Sequence, residues 1–230
     1  YKRQEPTWIH LSVFLKPSGK GKMSKRETQD ALKDGYSIFV KDMEELGFIP
    51  EGLNNWTALM GWGAGETEDV LTIDEMVEKF DINKLNASPA AINFARLDHF
   101  NGQHIRRLEV KDLARRVKPF LVKDGVVVDD STLVKIIPII RERMVTVDDC
   151  VPFAAWFFKE SVTPELEDLI QKGLTQPETV GMAKEILEIL STLPAIDHLT
   201  AEEPLRKYIE AKGYSPAQVF GLLRVAVSGQ

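Results

Sequence analysis

The chain has 230 residues, 43% hydrophobic and 28% charged, with 12 Pro and 15 Gly, the make-up of a folded globular protein and not of a disordered or collagenous one. Its longest apolar runs, such as residues 151–158, fall far short of the roughly 20 residues a bilayer span requires, so no membrane partner is expected. Cys150 is the single cysteine, which excludes an internal disulfide and a cysteine-rich zinc site and points to a reducing, cytoplasmic compartment.

The formal net charge of −6 argues against a polyanionic partner only until the chain is read in blocks. Residues 1–30 carry seven Lys or Arg against three acids and residues 95–143 carry eleven against seven, whereas residues 148–203 carry twelve acids against three Lys. Basic and acidic stretches are therefore segregated, and local potential decides where a polyanion docks. The chain begins Tyr1-Lys-Arg-Gln-Glu-Pro6, without an initiating Met or a secretory signal, and reads as a fragment of something longer.

In chain order, residues 8–15 are dense in aromatic and β-branched side chains and end at Pro17 and Gly19, which predicts a short buried strand. Everything after the following loop reads as helix. Tyr36, Phe39, Val40, Met43 and Leu46 recur at helical spacing up to Gly47, a left-handed stop, and Pro50 suits the first turn of a helix running to about Trp62. Capping boxes are expected at Thr72/Glu75 and Thr200/Glu203, and simpler starts at Ser88-Pro89, Thr163-Pro164 and Ser215-Pro216. Gly173, Gly213 and Gly229 close helices. Pro119 and Pro138 predict kinks or helix ends, because each lacks an amide hydrogen and crowds the preceding turn. The stripes Leu113, Val117, Leu121 and Ile136, Ile139, Ile140 are expected in the core, as are Trp56 and Trp62. About nine or ten helices after residue 35 make a mainly α protein, a multi-helix bundle in two helical subdomains behind a short strand and loop.

The segment that carries chemistry is Lys16-Pro-Ser-Gly-Lys20-Gly-Lys22-Met-Ser-Lys25-Arg26, five cations and two glycines in eleven residues directly after the strand. Such a composition suits a loop that grips phosphates, although no P-loop can be fitted to it. The string Lys22-Met23-Ser24-Lys25-Arg26 resembles the Lys-Met-Ser-Lys loop of class I aminoacyl-tRNA synthetases. The resemblance extends through residues 47–62 (Gly-Phe-Ile-Pro-Glu-Gly-Leu-Asn-Asn-Trp-Thr-Ala-Leu-Met-Gly-Trp), residues 97–106, residues 117–121 and residues 217–229, and it looks like bacterial-type glutamyl-tRNA synthetase.

What that resemblance implies is a division into residues 1–35, the end of a catalytic domain with the KMSKR loop; 36–124, a stem-contact region and first helical anticodon-binding subdomain; and 125–230, a second, incomplete one. Lys22 and Lys25 would be the catalytic cations that stabilise the departing pyrophosphate, within an ATP-binding set of Lys22, Met23, Ser24, Lys25 and Arg26. Arg143 matches an arginine that contacts the third anticodon base and Arg224 one near the first, while Arg106 and Arg141 are weaker tRNA-binding candidates. The implied partners are tRNA(Glu), with ATP, Mg2+ and L-glutamate for the whole enzyme, which is expected to be monomeric; the fragment itself is expected to hold no cofactor and no metal and to be inactive alone. Two other readings stay open: a non-catalytic helical interaction module with a basic loop, and a paralogue charging tRNA(Gln).

Overall fold

The structure, a computed structural model, describes residues 5–24, 32, 34–63 and 69–229 and, among these, every side chain but those at positions 198 and 199. The chain divides into two compact units, Tyr1–Ala155 and Trp156–Gln230.

In the first unit, β1 (Phe14–Leu15) pairs in parallel with β2 (Ala90–Ala91), Phe14 opposite Ala90. The predicted buried strand over residues 8–15 is thus corrected to two paired residues, with Trp8 83% and Leu11 62% exposed. Apolar density in a sequence marks side chains that would gain from burial, but a strand also needs neighbours along its length, and β2 pairs with residues 14 and 15. Helix α1 (Val40–Glu45) starts later than its apolar spacing suggests, because the Ser37 hydroxyl accepts from the Phe39 amide and donates to Asp42, a local turn that competes with helix. Helix α2 (Pro50–Leu59) has its proline in the first turn, as expected, and α3 (Ile73–Lys79) opens on the Thr72/Glu75 capping box. No helix starts at Ser88-Pro89; the Ser88 amide donates to Asn86, and α4 (Phe94–Arg107) is capped instead by Asn93.

Helix α5 (Val110–Lys123) continues through Pro119, and α6 (Asp130–Ile140) continues two residues past Pro138; both prolines sit on exposed faces. Of the expected stripes, Leu113, Val117, Leu121, Ile136 and Ile140 are buried, but Ile139 is 63% exposed and Ile137 is fully buried in its place. A short 3-10 turn, Arg141–Arg143, follows α6, then α7 (Cys150–Ala154). The core of this unit joins Met43, Phe48, Trp56, Ile92, Leu97 and Phe100, with Trp62, Leu71 and Met76 beside it. Helix α2 packs on α4, and α5 on α6, so the segments on either side of residue 124 share one unit.

In the second unit, α8 (Leu166–Leu169) is one turn long and is preceded by Glu165, so Thr163-Pro164 does not cap it. Helix α9 (Gln176–Ser191) begins with a Thr175/Glu178 capping box that the sequence reading passed over. Helix α10 (His198–Lys212) corrects the expected start at Thr200: Asp197 accepts from the Thr200 amide and its own amide donates to the Thr200 hydroxyl, so the reciprocal cap lies three residues earlier. Helix α11 (Pro216–Ser228) opens on Ser215 and Gln218 and ends at a left-handed Gly229. Met182, Ile186, Leu205, Tyr208, Ile209, Val219 and Leu222 form the core of this unit, all contributed by α9, α10 and α11. The described residues contain eleven α-helices. None of these helices is long and apolar enough to cross a membrane.

Candidate nucleic-acid interface

Three of the arginines singled out in the sequence meet at one turn of the first unit. Arg141 and Arg143 lie on the 3-10 turn itself, and Arg106, from the last turn of α4, donates from Nη1 to the Glu142 carbonyl at 3.4 Å. Arg141 pairs with Glu142, its Nε 3.5 Å from Oε1. Arg143 is exposed, with its guanidinium carbon 4.7 Å from the centre of the Phe153 ring. The Arg143 cation therefore sits over an aromatic ring, within cation–π reach.

The turn is built on a fixed base. Met144, directly after Arg143, is fully buried, so a core side chain on one side of the backbone sets which way its exposed neighbour faces. Asp149 accepts from the amides of Val145 and Thr146, both at 2.8 Å. Asn101, fully buried in α4, donates to the Val145 carbonyl at 2.6 Å and accepts from the Ile49 amide at 2.9 Å. Gly52 on α2 sits so close that a Cβ there would lie 2.7 Å from the Asn101 Cα. Gly47 takes a positive φ of 85°, its carbonyl accepts from the Val147 amide, and a Cβ on it would meet the Asp148 amide nitrogen at 2.6 Å. Gly47 and Gly52 thus owe their identity to close backbone approach, and Asn101 to its bonds with the segment that carries Arg143.

A second polar layer ties α2 and α4 to the segment that leads into α3. The Asn55 carbonyl oxygen accepts from the Leu71 amide and lies 2.9 Å from His104 Nε2, while its amide donates to the Asp69 carbonyl. With Leu71 already donating to that oxygen, His104 is assigned as the Nε2–H tautomer. Burial holds the His104 imidazole below its ordinary pKa of 6.5, keeping it neutral. Arg116 grips Glu51 with two parallel bonds of 2.8 and 2.7 Å and also reaches Asp112. The Glu51 carboxyl is held below its usual range mainly by the hydrogen bonds from Arg116. These groups are consumed in holding the helices and are not available to a ligand.

The basic loop forms a hairpin beyond β1. Lys22 bridges to Leu15, the Met23 amide donates to the Phe14 carbonyl at 3.0 Å, and the Lys16 amide donates to the Gly21 carbonyl at 3.1 Å. Met23 packs against the core of the unit, whereas Lys20, Lys22 and Ser24 face outward. Lys25 and Arg26 lie outside the described residues. Among the described residues no group of three or more His, Cys, Asp or Glu side chains could hold a metal ion. Arg224, in α11 of the second unit, is exposed.

Sequence reasoning named the arginines but missed what supports Arg143. Phe153 is ten residues away, with a turn and a helix start between, and no local spacing announces the contact. Asn101 and Gly52 were within quoted motifs, yet only the fold shows why they must be those residues. Trp156 and Phe157 stack on each other at 3.7 Å while staying half-exposed.

Comparison with known proteins gives these features their setting. The family model described as Anticodon binding domain matches residues 112–230. A glutamate–tRNA ligase of a Roseiflexus species is 32% identical over 98% of this chain and 44% of the relative, and one from Chloroflexus aurantiacus is 31% identical over 98% of this chain and 45% of the relative. The chain thus spans under half the length of the curated relatives it matches. Among solved structures, a glutamate tRNA ligase from Elizabethkingia meningosepticum in complex with its amino acid superposes with a TM-score of 0.80 at 29% identity, covering 98% of this chain and 46% of that one. With more than half of its residues matched by the family model and nearly all of them by these ligases, the chain belongs to the anticodon-binding-domain family and is homologous to part of glutamate–tRNA ligase.

Proposed function

We propose that this chain supplies the tRNA-reading part of a cytoplasmic glutamate–tRNA ligase, which activates glutamate with ATP and transfers it to tRNA(Glu). Arg143 reads the third anticodon base and Arg224 contacts the region of the first; Arg106 and Arg141 steady the turn and meet the tRNA backbone. The observation that carries this reading is the meeting of Arg106, Arg141 and Arg143 at a turn pinned by Asn101, Asp149 and buried Met144. An unpaired base offers a hydrogen-bonding edge and a flat face, and a guanidinium offers in-plane donors and a planar surface to match. The working division follows that of the family: 1–35 for the loop, 36–124 for the stem-contact and first helical region, 125–230 for the second.

The loop is the chain's contribution to the chemical step. Lys22 and Lys25 are the cations that meet the negative charge developing on pyrophosphate, which lowers the barrier because the interaction is stronger in the transition state than in the ground state. Met23 anchors the loop to the core, and Ser24 and Arg26 complete the ATP-binding set. Mg2+ would arrive with the ATP phosphates, the described side chains forming no cluster for it.

The test is binding of the chain to tRNA(Glu), to tRNA(Gln) and to tRNA(Glu) with a changed anticodon, at two salt concentrations. Preference for the intact glutamate anticodon, lost in Arg143→Gln and weakened in Arg224→Ala, is the expected result. Equal affinities that differ only with salt would overturn the reading and leave a basic helical interaction module.

A further inference from the structure

We propose that Phe153 is a positioning residue for anticodon discrimination: its ring holds the Arg143 guanidinium over itself, in the place from which it reads a base. The inference rests on the anticodon reading above and deepens it. Arg143 is exposed on a turn, where an arginine side chain left to itself would sample many rotamers and lose that freedom on binding. Three observations show that this one is held. Its guanidinium lies 4.7 Å above the centre of the Phe153 ring. The backbone that bears it is fixed from both flanks, by Arg106 on the Glu142 carbonyl and by Asp149 on the amides of Val145 and Thr146. Phe153 is half-buried on α7, whose Cys150 and Ala154 are fully buried, so the backbone that carries the ring is anchored in the core.

The consequence is geometric. Held over the ring, the guanidinium presents its N–H groups from a narrowed set of orientations, which suits hydrogen bonds to the edge of a single base and disfavours the many orientations in which it would pair with any phosphate. Phe153 touches no base in this account; it acts through Arg143.

The test uses the 230-residue chain and reads the ratio of affinities for tRNA(Glu) and for tRNA(Glu) changed at the third anticodon base. Phe153→Leu keeps much of the apolar volume and removes the ring; Phe153→Tyr keeps the ring. A cation–π contact at an exposed site corresponds to about a two- to five-fold effect on an equilibrium constant, so Phe153→Leu should lower the discrimination ratio by about that factor and Phe153→Tyr should restore it. In an Arg143→Gln background Phe153→Leu should have no further effect, since the side chain it positions is gone. If Phe153→Leu leaves the ratio intact while Arg143→Gln abolishes it, or if it weakens both tRNAs equally, the positioning role is overturned and anticodon reading stands. If Arg143→Gln itself leaves the ratio unchanged, the anticodon reading falls, and the role of Phe153 with it. Circular dichroism of each variant separates a loss of fold from a loss of selectivity.

Discussion

Asn101 makes two bonds that no other residue type could make in the same space. Its carbonyl oxygen accepts from the Ile49 amide, beside a buried Ile49, and its amide donates to the Val145 carbonyl two residues after Arg143. Removing it strands at least one buried donor, so Asn101→Ala is expected to destabilise the first unit by about 2–3 kcal/mol in urea unfolding; a change below about 0.5 kcal/mol would mean that water or a shifted backbone replaces both bonds. His104 gives the neighbouring layer a pH signature. Its folded-state pKa is depressed below 6.5 by burial, so the unfolded chain takes up a proton that the folded one resists. The stability it contributes is complete above pH 6.5 and declines as pH falls below that value. The Glu51–Arg116 pair acts in the same direction but lower, below the ordinary carboxyl value of 4.5. Unfolding free energy measured from pH 7 to pH 5 should therefore fall, and fall less in His104→Leu, where Asn55 still accepts from the Leu71 amide. Parallel pH profiles for the two proteins would show that another group controls this window.

Helix boundaries show how far local signals reach. Thr72/Glu75, the Ser215-Pro216 start and the glycine after α11 were legible because a cap involves residues within four positions of one another, although the return contact from Gln218 was not expected. Ser88-Pro89 and Thr163-Pro164 misled because the same dipeptides begin turns, and at residue 88 an asparagine two positions earlier captures the amide. At residue 200 two caps competed; Asp197 and Thr200 satisfy each other, and the expected Thr200/Glu203 box falls one turn inside the helix. The exposed run at residues 8–15 shows a different limit, since hydrophobic pattern records an affinity for burial and not the partner that meets it. The overlooked Thr175 box gives a prediction at this scale: Thr175→Ala removes the hydroxyl that donates to Glu178 at the start of α9, whose Met182 and Ile186 are in the core of the second unit, and should cost about 1 kcal/mol. Hydrogen exchange should speed up in residues 176–228 and remain unaltered in residues 94–140, because each unit has its own core; equal acceleration in both would show that they open as one.

For the molecule as a whole, the difficulty is that a protein of net charge −6 is asked to bind a polyanion. Segregation resolves part of it: residues 95–143 carry the arginines of the turn, while the acid-rich block begins at residue 148. The fold uses several of those cations internally. Arg116 is spent on Glu51 and Asp112, Arg115 on Asp112, Lys118 on Asp130, and Arg106 and Arg107 donate to backbone carbonyls. The phosphate term carries no sequence information whatever its size, so selectivity must come from contacts that distinguish bases. Those two kinds of contact leave different marks in a salt titration. Each phosphate neutralised adds about 0.7 to the slope of log affinity against log salt for a single strand, whereas a base contact releases few counterions. Arg143→Gln should therefore abolish discrimination at the third anticodon base while changing that slope by much less than one phosphate contact. If Arg143→Gln flattens the slope by a full contact and leaves discrimination intact, Arg143 is a phosphate ligand, and the arrangement over Phe153 serves stability of the turn instead of reading.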